Sequence, residues 1–348
     1  MLTTLLTVAI ALVASLALTL PVRRFALQVG FVDQPAARKI HLEPIPLLGG
    51  LAIYCGVVIA SLVSLHGHFA VQTVGILAGA TLLGGVGLLD DRGLLHHQVK
   101  LFVAMPAAAV ILLVSGIRAR VFTPLVPHYG AVLDIALTLF WVVGITAAFS
   151  ILDHMDGLCA GVAGIAAAFF TLFASIEGQT VVRVLAAATL GAAAGFLRWN
   201  FKPAKIFMGD SGAMFLGFLM ATLGLKLRIG NTPHATAWMV PVLILLVPIF
   251  DTLLVTISRT RRGLVPFATP GRDHTAHRMA KLAGGQRGAV IAMYGLGCVG
   301  GSLALLVADW PPLASFILAG AVAAAVLALV AFFEKVPFDG QAKPARHR

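Results

Sequence analysis

The stretch VQTVGILAGATLLGGVGLLDDRGLLHHQVK, Val71 to Lys100, decides the fold. It holds most of an apolar run near 69–89, and a helix needs about 20 such residues to cross a bilayer. The run ends in two adjacent carboxylates, Asp90 and Asp91, and then in a loop with Arg92 and Lys100. A charge at lipid depth costs about 2.5–3.5 kcal/mol on insertion scales, so carboxylates placed there are functional candidates. A solvated helix end is the plainer reading, and it fits poorly. A helix C-terminus already carries partial negative charge, and adjacent carboxylates repel each other. A cation is expected to compensate: a metal, Lys100, or both. Taken alone, Lys100 could be an ordinary lysine snorkelling to the interface.

The same pattern runs through the chain. Hydrophobic residues make up 59% of the 348 and charged residues 11%, with mean hydropathy +0.97. This composition indicates an all-α polytopic membrane protein and excludes a soluble domain. Eleven spans are expected, near 2–20, 47–65, 69–89, 98–115, 131–152, 157–175, 180–196, 211–225, 236–257, 287–307 and 311–333. Five of the 25 Lys and Arg (Arg118, Arg120, Arg183, Lys226 and Arg228) fall on one side, and twenty on the other. The positive-inside rule makes the rich side cytoplasmic, with the N-terminus outside and the C-terminus inside. The net charge of +11 is therefore mainly topology, and its dispersal over many loops argues against nucleic acid. The first span has Arg23-Arg24 after it and no basic residue before it, which reads as an uncleaved anchor. Cys55, Cys159 and Cys298 lie in spans without metal spacing and are expected to pack as small residues.

Residues 1–348 form a single membrane-embedded domain, with no repeat or second soluble unit. Its informative loops are 21–46, 90–100, 150–157, 197–212 and 258–286, all on the basic side. Only 14 Asp and Glu occur in the chain, and five of them fall in three motifs on that side. Asp90-Asp91 is the first. In FSILDHMDGLCAG, Asp153 and Asp156 stand at i, i+3, on one face if the segment is helical. They also precede a span, where an Asp can cap free N–H groups, but capping explains one and hardly both. In KPAKIFMGDSGAMFLG, Asp210 suits the N-cap of the next span and can also ligate a metal. Such acidic clusters on a basic face suggest a divalent metal handling a phosphorylated substrate. Asp251, about 12 Å along its helix from Arg259, is either a partner of the site or a structural hydrogen-bonding group.

The loop GRDHTAHRM supplies Arg272, Asp273, His274, His277 and Arg278. Arg and His beside an acidic metal site suit diphosphate recognition; the plainer reading is a solvated basic loop. Gly295-Leu-Gly297-Cys-Val-Gly300 matches G-x-G-x-x-G, but it lies inside a span with no strand before it. Close helix packing explains it better than a dinucleotide.

In this order the motifs resemble the polyprenyl-phosphate N-acetylhexosamine-1-phosphate transferases, glycosyltransferase family 4. The likeness runs from RKIHLEPIPLLGG, with Lys39 and His41, through Asp90-Asp91 and Lys100, LDHMDGL, FMGDSG and PIFD to the His-bearing loop. It covers about Arg38 to Met279. Each motif is weak alone; five in order on one face are specific. The resemblance implies transfer of a sugar-1-phosphate from a UDP-HexNAc to undecaprenyl or another polyprenyl phosphate. UMP is released, and a lipid-linked surface glycan is primed. It implies Mg²⁺, with Mn²⁺ as the substitute, a bacterial inner membrane, a site facing the cytoplasm, and a homodimer. By resemblance Asp210 is the metal ligand. Asp90 and Asp91 handle the lipid phosphate or act as base, Asp153 and Asp156 organise the nucleotide–metal region, and His274 and Arg272 contact the diphosphate. Lys39, His41, Lys100 and His277 join the substrate-binding set.

The chain departs from the family's Asn-x-x-Asp-Gly-x-Asp-Gly at Ser150 and His154, and from its His-x-His-His at Ala276. It lacks the triple-His run of the branch that uses UDP-MurNAc-pentapeptide, which favours a simpler donor, UDP-GlcNAc. The rivals are a CDP-alcohol phosphotransferase, a secondary transporter and an inactive nucleotide- or lipid-binding homologue. The first needs Asp-Gly-x-x-Ala-Arg, whereas Asp156-Gly157 is followed by Leu-Cys-Ala-Gly. The second needs ionisable residues near the midplane and repeated halves. The third draws on the three departures.

Overall fold

The computed structural model describes residues 1–34, 44–65, 70–126, 128–230, 232–266 and 271–338. Lys39 and His41 lie outside the described residues. Among the described residues the regular structure is helical apart from a two-residue antiparallel pairing of β1 (Val32–Asp33) with β2 (Ile45–Pro46). The helices are α1 (Leu2–Gln28), α2 (Gly49–Ser64), α3 (Val71–Asp91), α4 (His97–Val99) and, after a π-helical turn at Lys100–Ala104, α5 (Met105–Val114). Then come α6 (Gly130–Leu152), α7 (Leu158–Ile176), α8 (Thr180–Asn200) and α9 (Gly209–Lys226). The last are α10 (His234–Ala237), α11 (Met239–Ile244), α12 (Leu246–Arg261), α13 (Thr275–Leu282), α14 (Gln286–Asp309) and α15 (Pro312–Lys335).

All eleven apolar segments read from the sequence are helical, but they are not equal. Among the described residues seven helices (α1, α3, α6, α7, α8, α14 and α15) are long and apolar enough to cross a membrane. The segment 236–257, expected as one span, is instead two helices bent by 80° at Leu245. Pro248 has no N–H for the carbonyl four residues back, which breaks the ladder at the bend. α2 and the Lys100–Val114 segment are shorter.

α9 is the centre of the bundle. Every residue from Ser211 to Leu225 is buried, as expected of a helix that is apolar all round. It is wrapped by α2, α3, α6, α7 and α8. α15 lies at the edge, with only 11% of its apolar window buried, so its surface is left for lipid. Small residues set the closest approaches. Thr7, Ala11, Ser15 and Thr19 form one buried stripe of α1. A Cβ at Gly191 or Gly195 of α8 would lie 2.2 Å from the Val8 carbonyl oxygen or 2.4 Å from that of Leu12. Gly300 meets the Leu243 carbonyl oxygen at 2.4 Å in the same sense, which accounts for the third glycine of the G-x-G-x-x-G match as packing.

Candidate active site

α9 enters the bundle at Gly209, whose φ of +73° only glycine takes readily. A Cβ there would lie 2.5 Å from Asp91 Oδ2. The expected N-cap role of Asp210 is corrected: Asp210 is the second residue of α9 and makes no cap bond of its own. The cap comes from α3. The Asp210 N–H donates to Asp91 Oδ1 at 2.8 Å, and the Ser211 N–H donates to Asp91 Oδ2 at 3.1 Å. Asp91 thus places a carboxylate at the positive end of α9 and fixes the start of that helix.

This cap leaves the Asp210 side chain free to face the loops. Lys100 Nζ donates to Asp90 Oδ2 at 2.7 Å and to Asp210 Oδ2 at 2.8 Å. Ser150 Oγ donates to Asp210 Oδ1 at 2.5 Å. Lys100 is therefore one of the cations that the Asp90-Asp91 pair demanded, and it does not snorkel away. The π turn that begins at Lys100 gives way at once to α5.

Asp153 and Asp156 do not share a helix face. Asp153 is the C-cap residue of α6, and the chain turns at 154–157 before α7 begins behind Gly157, φ +78°. Asp156 accepts from the Ala204 N–H at 3.1 Å and lies 3.9 Å from Lys202 Nζ. Asn200, unremarked in the sequence, fastens this turn: its Oδ1 accepts from the Gly157 N–H and its Nδ2 donates to the Ile206 carbonyl, both at 3.0 Å. Tyr294 adds a 2.6 Å bond from its hydroxyl to the Gly157 carbonyl. Asp153 faces the acidic cluster. Burial, then the charges of Asp210, Asp91 and Asp156, push its carboxyl well above the usual range.

That shift has a thermodynamic consequence. A carboxyl raised in the folded chain binds more protons there than in the unfolded chain, so stability falls as pH rises through the window above its ordinary value. Asp153→Asn removes the penalty. In detergent without divalent cations, the variant is expected to melt a few degrees above wild type near pH 8, and to match it near pH 4. Equal melting temperatures at both pH values would show that Asp153 carries no such strain.

The histidine loop sits beside this turn. His274 is buried, and its Nδ1 lies 3.0 Å from Asp251 Oδ2. A carboxylate only accepts, so Nδ1 carries the proton of that bond. The Thr275 N–H donates to Asp251 Oδ1 at 2.7 Å, starting α13. Asp251 is thus a hydrogen-bonded partner of the loop. Asp273 is clamped by Arg259 at 2.8 and 3.0 Å and by Arg262. Burial works to raise Asp273, but the two guanidiniums outweigh it and hold its carboxyl below the usual range. Arg278 is fully buried, reaching Ser258, Glu334 and the carbonyls of Asp273 and Phe333. It anchors α13 and is not a solvated loop cation.

His154 stacks on His274 at 4.1 Å between ring centroids and lies 4.9 Å from the His277 ring. Burial, followed by the neighbouring His274, holds His154 well below the usual imidazole value. Its Nδ1 lies 3.0 Å from the Ile151 carbonyl. His154, Asp251 and His274 come close enough to suggest a cation site. The stacked rings and the fully engaged Asp251 favour a packed hydrogen-bonded unit instead. The loops thus bring Asp90, Asp91, Lys100, Ser150, Asp153 and Asp210 to one end of the bundle, where His154 of the α6–α7 turn packs on His274 and His277 at the start of α13.

A helical membrane protein with these carboxylates and a lysine at the ends of its spans has the makings of an enzyme for phosphorylated substrates. Residues 73–228 match Glycosyl transferase family 4. The chain is 33% identical over 295 residues to the probable undecaprenyl-phosphate N-acetylglucosaminyl 1-phosphate transferase of Bacillus subtilis, covering 83% of this chain and 81% of that protein. It is 32% identical to the decaprenyl-phosphate N-acetylglucosaminephosphotransferase of Mycolicibacterium smegmatis, over 78% and 74% of the two chains. It is 28% identical to the undecaprenyl-phosphate alpha-N-acetylglucosaminyl 1-phosphate transferase of Yersinia pestis, over 88% and 86%. The chain belongs to glycosyl transferase family 4.

Proposed function

We propose that the protein transfers GlcNAc-1-phosphate from UDP-GlcNAc to a polyprenyl phosphate, releasing UMP. The observation that carries this reading is Lys100 held between Asp90 and Asp210 at the loop ends of the spans. A phosphate oxygen of the lipid attacks the β-phosphorus of the donor. A new P–O bond forms as the bond from that phosphorus to the oxygen bridging to the α-phosphate breaks, and UMP leaves with that oxygen. Two anions meet in this step, so neutralisation and positioning supply most of the catalysis.

Asp210, Asp90 and Asp153 offer carboxylate oxygens, the donors that Mg²⁺ and Mn²⁺ prefer, and in this reading they would hold such an ion. When bound, the ion neutralises the diphosphate charge. Lys100 orients Asp90 and Asp210 and brings a positive charge to the incoming phosphate. Asp91 is committed to the α9 amides and acts as a positioning residue, which leaves Asp90 of the pair to face the acceptor. Ser150 holds the second oxygen of Asp210. Asp156 secures the 202–204 segment. His274, His277 and Arg272 lie on the loop that would meet the nucleotide diphosphate.

In the same reading this end faces the cytoplasm from a bacterial inner membrane, with eleven crossings, the N-terminus outside and the C-terminus inside; the bias of Lys and Arg supports that orientation. The exposed apolar surface of α15 leaves room for a homodimer within the same reading. A test is mass spectrometry of the lipid after incubation of purified protein with undecaprenyl phosphate, UDP-GlcNAc and Mg²⁺. Gain of one GlcNAc-1-phosphate per lipid is expected. An unchanged lipid with every UDP-HexNAc, in folded protein, would favour an inactive homologue.

A further inference from the structure

α3 and α9 carry Asp90 and Asp210 at one end and a different polar cluster at the other. Gln72 stands at the start of α3 and Lys226 at the end of α9. At about 1.5 Å per residue they lie about 24–27 Å along the helix axes from the two carboxylates. That is close to the thickness of the hydrocarbon core, about 30 Å. A cavity of about 400 Å³ opens there, lined by Gln72, Arg120, Glu177, Gln179, Lys226 and Arg228 among others.

Its charge is unusual for this face. Only five Lys and Arg lie on it, and three of them line this one cavity. None of the three pairs with a carboxylate among the described residues. Glu177, the acidic residue of the lining, is engaged by the Gly230 N–H at 3.0 Å. Two of the three cations are also held in place. Lys226 donates to Gln72 Oε1. Arg228 NH1 donates to the Leu225 and Leu227 carbonyls at 2.7 and 3.1 Å. The Arg228 backbone is gripped on both sides by the Gln179 amide. Arg228 Nε and its second terminal nitrogen keep their donors, and Arg120 makes no hydrogen bond to protein among the described residues. Partial burial, and then Arg120 nearby, hold the Arg228 guanidinium below its ordinary value, so the two arginines feel each other across the cavity.

Lys226 and Arg228 are thus oriented by protein bonds, the exposed Arg120 lines the same polar cavity at headgroup depth, and guanidinium forks match phosphate geometry. We propose that this cavity binds a phosphate group on the membrane face opposite the candidate active site, drawn from an anionic lipid headgroup or from free phosphate.

Native mass spectrometry of the full chain, released from a non-ionic detergent, tests this with phosphatidylglycerol and phosphatidylcholine as probes. Thermal unfolding with and without inorganic phosphate tests the second source. Arg120→Gln is the informative variant, because Arg120 makes no protein bond whose loss would unfold the chain. Lys226→Gln gives a second reading. Arg118→Gln, on the same face but outside the cavity lining, controls for general charge, and comparison among variants cancels lipid bound at the basic end. Wild type and Arg118→Gln are expected to retain phosphatidylglycerol about tenfold better than Arg120→Gln, the worth of one charge-assisted bond, with no difference for phosphatidylcholine. A phosphate-induced rise in melting temperature that Arg120→Gln lacks, without a lipid difference, would assign the site to free phosphate. Equal lipid retention and equal phosphate response in all four proteins would overturn the proposal.

Discussion

Asp210→Asn is expected to lower turnover about 10³-fold, the upper range for losing one preorganised charge-stabilising group, while leaving the chain folded. Asp210 is where the site converges. One oxygen takes Lys100 and the other takes Ser150, and its backbone N–H is held by Asp91. The amide keeps the shape of the side chain and the backbone bond to Asp91, so helix α9 stays where it is. It loses the charge that pairs with Lys100 and that a divalent cation would need. The check is turnover in purified protein beside a melting curve. A variant within tenfold of wild type would remove Asp210 from the chemistry.

Gly50→Ala is expected to have the second largest effect, through geometry alone. A Cβ on Gly50 would lie 2.3 Å from the Gly212 nitrogen and 2.5 Å from its Cα. A Cβ on Gly212 would in turn lie 2.7 Å from the Gly50 Cα. The two backbones touch, and the Gly50 N–H donates to the Met208 carbonyl at 2.9 Å, just ahead of α9. The two nearest atoms are backbone, so even if Ser211 Oγ at 2.6 Å turns away, α2 must retreat or the first turn of α9 must move. Asp210 sits in that turn. A displacement of about 1 Å costs about 10²-fold in rate when catalysis rests on positioning. The expected result is a loss of that size with an unchanged apparent affinity for UDP-GlcNAc. Gly85→Ala, where a Cβ meets nothing within 4 Å, should behave as wild type. Full activity in Gly50→Ala would mean that the start of α9 is not a fixed support.

Much of this site was legible because its chemistry is rare in such a sequence. Fourteen acidic residues in 348 leave few places for an acidic cluster; Asp90 and Asp210 meet through Lys100, and Asp153 lies near enough for the charge of Asp210 to act on it. The helical segments were legible for the same reason: long apolar runs have one way to satisfy their backbone in lipid. Three features were not. The span 236–257 looks continuous in sequence because hydropathy does not register the missing Pro248 N–H. Asp210 suits the cap of α9 as the nearest Asp in sequence, whereas a cap supplied by Asp91 from 119 residues away has no local signature. The i, i+3 spacing of Asp153 and Asp156 gives one face only if the segment is helical, and the turn at 153–157 is pulled out of helix by Asn200 and the Ala204 N–H. Ser150 and His154, read first as departures from a family pattern, hold Asp210 and stack on His274. Such contacts follow from tertiary register, which single-residue patterns do not carry.

The central claim is transfer to a lipid phosphate at the Lys100–Asp90–Asp210 cluster. The measurement that reaches it most directly is UMP release by protein in detergent, with UDP-GlcNAc, other UDP-HexNAcs, undecaprenyl phosphate and Mg²⁺, beside Asp210→Asn and a chelated control. The account predicts UMP only when lipid phosphate and divalent cation are both present, fastest with UDP-GlcNAc, and abolished in the variant. UMP release that ignores the lipid, or that survives in Asp210→Asn, would contradict it.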